Sequence, residues 1–187
     1  MGVTFVQGNI TNVPEYEYSI ITHPDSTLEL EIKYALQDKI NLFLVDSINL
    51  QGANCYGYTF YPTEPERNFI FLRKDHILSK YLVTLMGNFF GLLFTHETLG
   101  GSEYASGSNC GSTGDYICDT HADPMLLGLV DENCHYQGFI RDGENNFYVP
   151  SVANIMSESP DTCKCIFTNE QYRRMKYYLF NLRDYLR

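Results

Sequence analysis

The chemistry open to this sequence begins with its five histidines, at 23, 76, 96, 121 and 135, and its six cysteines, at 55, 110, 118, 134, 163 and 165. His96 beside Glu97, or His121 between Asp119 and Asp123, offers imidazole and carboxylate donors to a metal ion. No two histidines stand four residues apart, the spacing that lets two imidazoles on one helix face reach the same ion. Serine hydrolysis would need Gly-x-Ser-x-Gly at a strand-to-helix turn. That motif is absent, and "GSNCGSTGD" (107–115) reads as a Gly/Ser turn. The cysteines do not form Cys-x-x-Cys pairs, which argues against a zinc ribbon.

The informative stretch is "TLMGNFFGLLF", residues 84–94. A zinc peptidase helix of the His-Glu-x-x-His-x-x-Gly-x-x-His kind puts two imidazoles one turn apart and a Glu beside the first to take a proton from the attacking water. A Gly then turns the chain so that a third His completes the site. Laid on that pattern, Gly91 falls on the Gly. Thr84 stands at the first His, Leu85 at the Glu, Asn88 at the second His and Phe94 at the third. Thr and Asn are poor zinc ligands, Phe is none, and Leu cannot accept a proton. The plain alternative is a buried apolar helix with Leu85, Phe89, Phe90, Leu92 and Phe94 in the core. Phe94 would then fill the space of a metal site, and Thr84 and Asn88, one turn apart, would bond to each other.

Motifs further along the chain support the first reading. "THE" (95–97), "NC" (109–110), "GDYICDTHADP" (114–124), "NIMSESPDTC" (154–163) and "FTNEQYRRM" (167–175) occur in the order in which similar motifs come after the zinc helix of the pappalysin/cytophagalysin family of metzincin metallopeptidases. "INLFLVDSI" (40–48), with Cys55, Gly57 and Tyr58 after it, resembles that family's strand and loop before the helix. The resemblance covers roughly residues 36–187 and implies a metzincin-like zincin fold. Met156 matches the Met of the turn beneath the metal. Glu158 stands where the family has a Tyr that steadies the tetrahedral intermediate, and His121 replaces the Pro of "DTP". Thr84, Leu85, Asn88, Phe94 and Glu158 therefore all depart from what the chemistry needs, the pattern of a natural pseudoenzyme with no ancestral zinc. Glu97, Asp115 and Asp119 match acidic positions of the family and read as loop-capping groups.

The elements that must hold these residues are those of an α/β (α+β) domain. Strands are expected at 3–10, 19–23, 40–48 and 67–74, with a shorter one within 52–62. "DSTLELEIKYALQDK" opens with Ser26 and Glu29 at capping-box spacing, and Leu28, Ile32, Ala35 and Leu36 make its apolar stripe. This is the expected backing helix. Asp75 is the expected N-cap of a buried helix over 77–90, with Gly91 as its left-handed stop. From 95 to 168 Gly, Ser, Asn, Asp and Pro dominate, without repeats. Thr168 and Gln171 form a second capping box, before a helix with Tyr172, Met175, Leu179, Leu182 and Leu186 on one stripe. The organisation is one domain, 1–187, with an upper lobe 1–94 holding the twisted mixed sheet and an irregular lower lobe 95–187.

Composition limits the partners. With 13 basic and 23 acidic residues the net charge is −10, and nothing resembles a basic stripe, which argues against nucleic acid and anionic membranes. No apolar run is long enough to span a bilayer. Cys110, Cys118, Cys134 and Cys163 can form two disulfides in three connectivities, with Cys55 and Cys165 left free. A Cys-rich, loop-rich half suits an exported or cell-surface protein, with any signal peptide already removed. The functional expectation is a pseudoprotease that binds a peptide or protein by strand addition along 67–74, read as a sheet edge for its polar ends. The rivals are a hydrolase relocated around Glu158, His96 or His121, and a structural domain of a larger surface protein.

Overall fold

A computed structural model describes residues 6–13, 19–23, 27–63 and 67–186. The expected strand 3–10 lies partly outside them, and residues 6–13 are irregular. Ser26, and with it the first capping box, also lies outside them. The described elements are β1 (Ile20–Ile21), α1 (Leu28–Tyr34), β2 (Asn41–Val45), β3 (Ser47–Leu50), β4 (Ala53–Asn54), β5 (Gly57–Thr59), β6 (Phe69–Arg73), α2 (Tyr81–Phe89) and α3 (Asn169–Asn181), a mixed α+β arrangement.

The strands make two three-stranded sheets, β1-β3-β4 and β2-β6-β5. β2 runs parallel to β6, Asn41 opposite Phe69 through Val45 opposite Arg73, and β5 runs antiparallel on the other side of β6. The run 40–48 is thus divided between β2 and β3. The expected edge strand 67–74 is the centre of its sheet. Its polar ends mislead because they fall at the strand's limits, while Phe69, Ile70, Phe71 and Leu72 are all at most 1 % exposed. A run buried on both faces is the mark of an interior strand.

β6 divides the core by its alternation. Phe69 and Phe71 point to one face, with Ile21, Leu30, Val45 and Ile48. Ile70 and Leu72 point to the other, with Leu85, Phe89 and Phe90 of the α2 region and Leu179 of α3. α1 backs the first face, but not with the expected stripe. Leu30 and Glu31 are buried, whereas Leu28, Ile32 and Leu36 are 52 %, 77 % and 52 % exposed. Glu31 can turn inward because Arg67 meets its carboxylate at 3.3 Å and the Thr27 hydroxyl donates to it. A buried charge needs such partners.

α3 begins where its capping box places it. The Thr168 hydroxyl accepts the Gln171 N–H at 3.2 Å and Gln171 Oε1 accepts the Thr168 N–H at 2.9 Å. Of its expected stripe, Leu179 is buried and Met175 partly so, but Tyr172 is 58 % exposed. Arg183, just past α3, is fully buried. It donates to the carbonyls of Phe89 (2.9 Å) and Phe60 (3.0 Å) and to the Tyr185 hydroxyl (2.9 Å), and lies over the Phe89 ring.

From Thr95 to Phe167 the described backbone has isolated bridges and turns but no helix or strand. Disulfides Cys110–Cys118 and Cys134–Cys163 brace it, and Cys55 and Cys165 are free thiols. One turn is built twice, which the absence of a sequence repeat does not foreshadow. Asp131 Oδ1 accepts the N–H groups of Asn133 and His135, and Asp142 Oδ1 those of Glu144 and Asn146. Cys134 and Asn145 take the same positive φ, 63° and 67°. Only the two Asp and the turn geometry recur, so no lexical repeat marks it.

Candidate functional site

α2 starts at Tyr81, four residues after the expected start at Ile77, and Asp75 is not its cap. Asp75 is held by Arg73, whose Nε donates to it at 3.1 Å and keeps its carboxyl below the usual range. The helix start is instead met from afar: Asp161 accepts the Lys80 N–H at 2.9 Å and the Ser79 hydroxyl accepts the Tyr81 N–H at 3.3 Å. Ile77 and Leu78, outside the helix, are 41 % and 97 % exposed.

The far end is closed by Gly91 at φ +84°, with Leu92 N–H bonded to the Gly87 carbonyl (2.9 Å) and Gly91 N–H to the Asn88 carbonyl (2.8 Å). This paired arrangement is the Schellman stop, which favours glycine. Packing adds a second reason: a Cβ at Gly91 would lie 2.2 Å from the Tyr178 ring.

Each side chain that the sequence reading sets at a zinc-motif position has a definite place. Thr84 is fully buried, and its hydroxyl donates to the Ile155 carbonyl at 2.9 Å. Asn88 donates to the Leu92 carbonyl at 2.9 Å. The two therefore bond to separate partners, not to each other. Leu85 is 2 % exposed and packs where β5 comes close: a Cβ on Gly57 would meet Leu85 Cδ1 at 2.6 Å and the Phe71 carbonyl oxygen at 2.5 Å. Phe94 is half-buried with its ring centre 5.4 Å from that of His96, while the side chain buried beneath α2 is Leu92, clustered with Ile117 and Met156.

Met156 is fully buried directly under α2, its sulfur 2.5 Å from where a Gly87 Cβ would be. Its turn is shaped by Asn154, whose Oδ1 accepts the Met156 N–H at 2.8 Å and whose side chain is bonded both ways to Gln171 of α3. The Met156 carbonyl accepts the Thr95 N–H at 3.1 Å. Helix, turn and α3 are thus one hydrogen-bonded unit.

Glu158 is half-buried and faces Tyr81 and Lys164. Burial first, then the Glu158 charge, push the Tyr81 hydroxyl up to about 12. Lys164 is 3 % exposed, and burial pulls its ammonium down against the opposing pull of Glu158 and Asp161. Tyr61 approaches from the segment after β5. Burial and the Glu97 charge raise its hydroxyl, and a hydrogen bond with Asn88 works against them. Sequence reasoning missed Tyr61, Tyr81 and Lys164, and nothing in their spacing marks them.

Among the histidines, His121 is exposed, and His96 holds a buried Nδ1 without a partner among the described residues. Thr95 donates to Asp123 at 2.6 Å, and burial raises that carboxyl. Asp115 and Asp119 cap loops: Asp115 accepts the Ile117 N–H (2.9 Å) and the Thr120 hydroxyl (3.1 Å), and Asp119 accepts the Glu170 N–H (2.9 Å). Burial raises Asp115 to about 6, and burial with the Asp115 charge raises Glu103 to about 7. No three His, Cys, Asp or Glu among the described residues are grouped to hold a metal ion. A hydroxyl donating to a carbonyl, an amide donating to another and a phenyl ring do not fit zinc, which needs imidazole, thiolate or carboxylate.

The outer strand beside this region is β5, in which Gly57 is buried and Thr59 half-buried. Arg73 N–H bonds to the Tyr56 carbonyl at 2.8 Å, so Tyr56 and Tyr58 face β6, and the backbone groups of Gly57 and Thr59 point away from it. Only the Tyr81 hydroxyl reaches that side among the described residues, at a long 3.5 Å from the Gly57 carbonyl.

No family model and no curated protein matches the chain. Solved structures do. Mature mirolysin of Tannerella forsythia, in complex with a cleaved peptide, is similar with a TM-score of 0.51 at 20 % identity, over 79 % of this chain and 55 % of that one. Mirolysin in complex with compound 9 gives 0.49 at 19 % identity over the same shares. The chain spans about half the length of the mirolysin it matches. The fold is metzincin-like.

Proposed function

We propose that this domain is a metallopeptidase homologue that has exchanged zinc chemistry for binding of a peptide or protein. One observation carries the reading: the side chains at the ligand and base positions are committed to structure. Thr84 holds the Met156 turn through the Ile155 carbonyl, and Leu85 is core against Gly57. Restoring a zinc site here would mean dismantling a packed interface, not changing one residue.

What supports binding is the outer edge of β5, where the half-buried Thr59 has no backbone partner among the described residues. This replaces 67–74 as the candidate edge. The peptide seated in the mirolysin structure belongs to that protein. Two disulfides fit an extracellular protein, and no helix among the described residues is long and apolar enough to cross a membrane.

Metal analysis of the purified protein, with a broad peptide-cleavage assay, tests the reading. The expected outcome is no stoichiometric zinc and no chelator-sensitive cleavage. Zinc at one equivalent with cleavage abolished by chelator would sink it.

A further inference from the structure

Residues 139–149 form a hairpin with two unlike faces. Arg141 and Phe147 bridge as an antiparallel pair, flanked by Asp142 N–H to the Asn146 carbonyl (2.9 Å) and Tyr148 N–H to the Ile140 carbonyl (3.1 Å). Phe139 and Val149 lie two residues beyond this isolated pair on either side. Side chains two apart on a strand share a face, so Phe139, Arg141, Phe147 and Val149 stand together, with Ile140 and Tyr148 on the reverse.

The reverse is anchored. The Tyr148 hydroxyl donates to the Glu103 carbonyl at 2.9 Å, and Asp142, in the turn, accepts the Ala105 N–H at 2.8 Å. The outward face is bare among the described residues: Phe139 is 86 % exposed, Val149 75 % and Phe147 48 %. The Arg141 guanidinium carbon lies over the Phe147 ring, 3.5 Å from its centre. Single exposed apolar residues are ordinary, but three on one face of a hairpin held by Asp142 make a prepared surface.

Size and charge select the occupant. Four side chains fall far short of the roughly 800 Å² per partner of a stable dimer, so a second copy does not fit. The hairpin carries two acidic residues, Asp142 and Glu144, against one basic, Arg141, whose guanidinium lies over Phe147. Glu144 sits exposed at the hairpin tip. A chain of net charge −10 repels anionic lipid and attracts cations. We propose that this hairpin face docks a cationic amphipathic segment of a partner protein, its apolar side chains on Phe139, Phe147 and Val149 and its Lys or Arg toward Glu144.

Fluorescence anisotropy of the intact domain with two short synthetic peptides of one amphipathic pattern, one Leu/Lys and one Leu/Glu, tests this at physiological salt. The Leu/Lys peptide is expected to bind at least about tenfold tighter, a difference of about 1.4 kcal/mol. The double variant F139S/V149S should weaken it about tenfold with Tm unchanged, and E144K should weaken it with the apolar face intact. Equal affinity for both peptides, or affinity untouched by F139S/V149S and E144K, overturns the proposal. So does F139S/V149S-sensitive binding to phosphatidylcholine vesicles in place of peptide, or F139S/V149S-sensitive self-association in sedimentation.

Discussion

Gly91 shows how far single residues constrain this domain. Its φ of +84° costs an L-residue roughly 1–2 kcal/mol, and the Tyr178 ring leaves no room for a Cβ. Gly107 has a similar φ of +70° with nothing within 4 Å. In denaturant unfolding, Gly107→Ala is therefore expected to cost about 1 kcal/mol and Gly91→Ala about 2–4 kcal/mol. Equal losses would mean that Tyr178 moves aside freely. Glu103 and Asp115 set a pH dependence. Their folded pKa values, about 7 and about 6, lie above their ordinary ones, so the folded state holds protons that the unfolded chain has released. Stability from these groups is present at low pH and lost as pH rises through about 6 to 7. Tm should thus climb as pH falls from about 7.5 to about 5, and Glu103→Gln should flatten the slope. At this scale Gly91 was legible from its place after an apolar run. The partner of Thr84 was not, because a carbonyl 71 residues away leaves no trace in spacing.

The elements divide by what defines their ends. α3 was legible because its cap is local, the reciprocal pair Thr168 and Gln171. The start of α2 was not, because its cap is Asp161, 81 residues on. β6 was misread as an edge because a two-sided apolar strand and an edge strand differ only in what lies beside them. The stripe on α1 was misread because a paired Glu31 can be buried where Leu28 and Ile32 look the better candidates. Arg183 ties the elements together, and removing it leaves the Phe60 and Phe89 carbonyls without its donors, plus a cavity. Arg183→Ala is expected to cost about 3–5 kcal/mol by chemical denaturation. Arg183→Lys should recover only part, since one ammonium cannot span the guanidinium's separate acceptors. Full recovery by Lys would reduce its role to charge.

Over the whole molecule, the metzincin-like fold was legible from motif order, and the irregular 95–168 region from its composition. Disulfide pairing was not, as three connectivities were equally open. Cys134–Cys163 closes a loop with a sequence separation of 29 and ties the first Asp-pinned turn to the segment after Met156. The chain-entropy argument gives about 3–4 kcal/mol for such a loop. The C134S/C163S variant should lose about that much in thermal unfolding, and C110S/C118S, with a separation of 8, less.

The Arg183 contacts also bear on the order of events when the chain is made. They join positions 94 and 123 residues apart. Synthesis delivers the N-terminal part first, at roughly 5–20 residues per second. The sheet and α2 therefore emerge several seconds before the guanidinium that closes them, and in that interval the end of α2 stands unsealed beside exposed Phe60 and Phe89. A nascent domain of this design depends on its last helix arriving before its first half finds another chain to cover it.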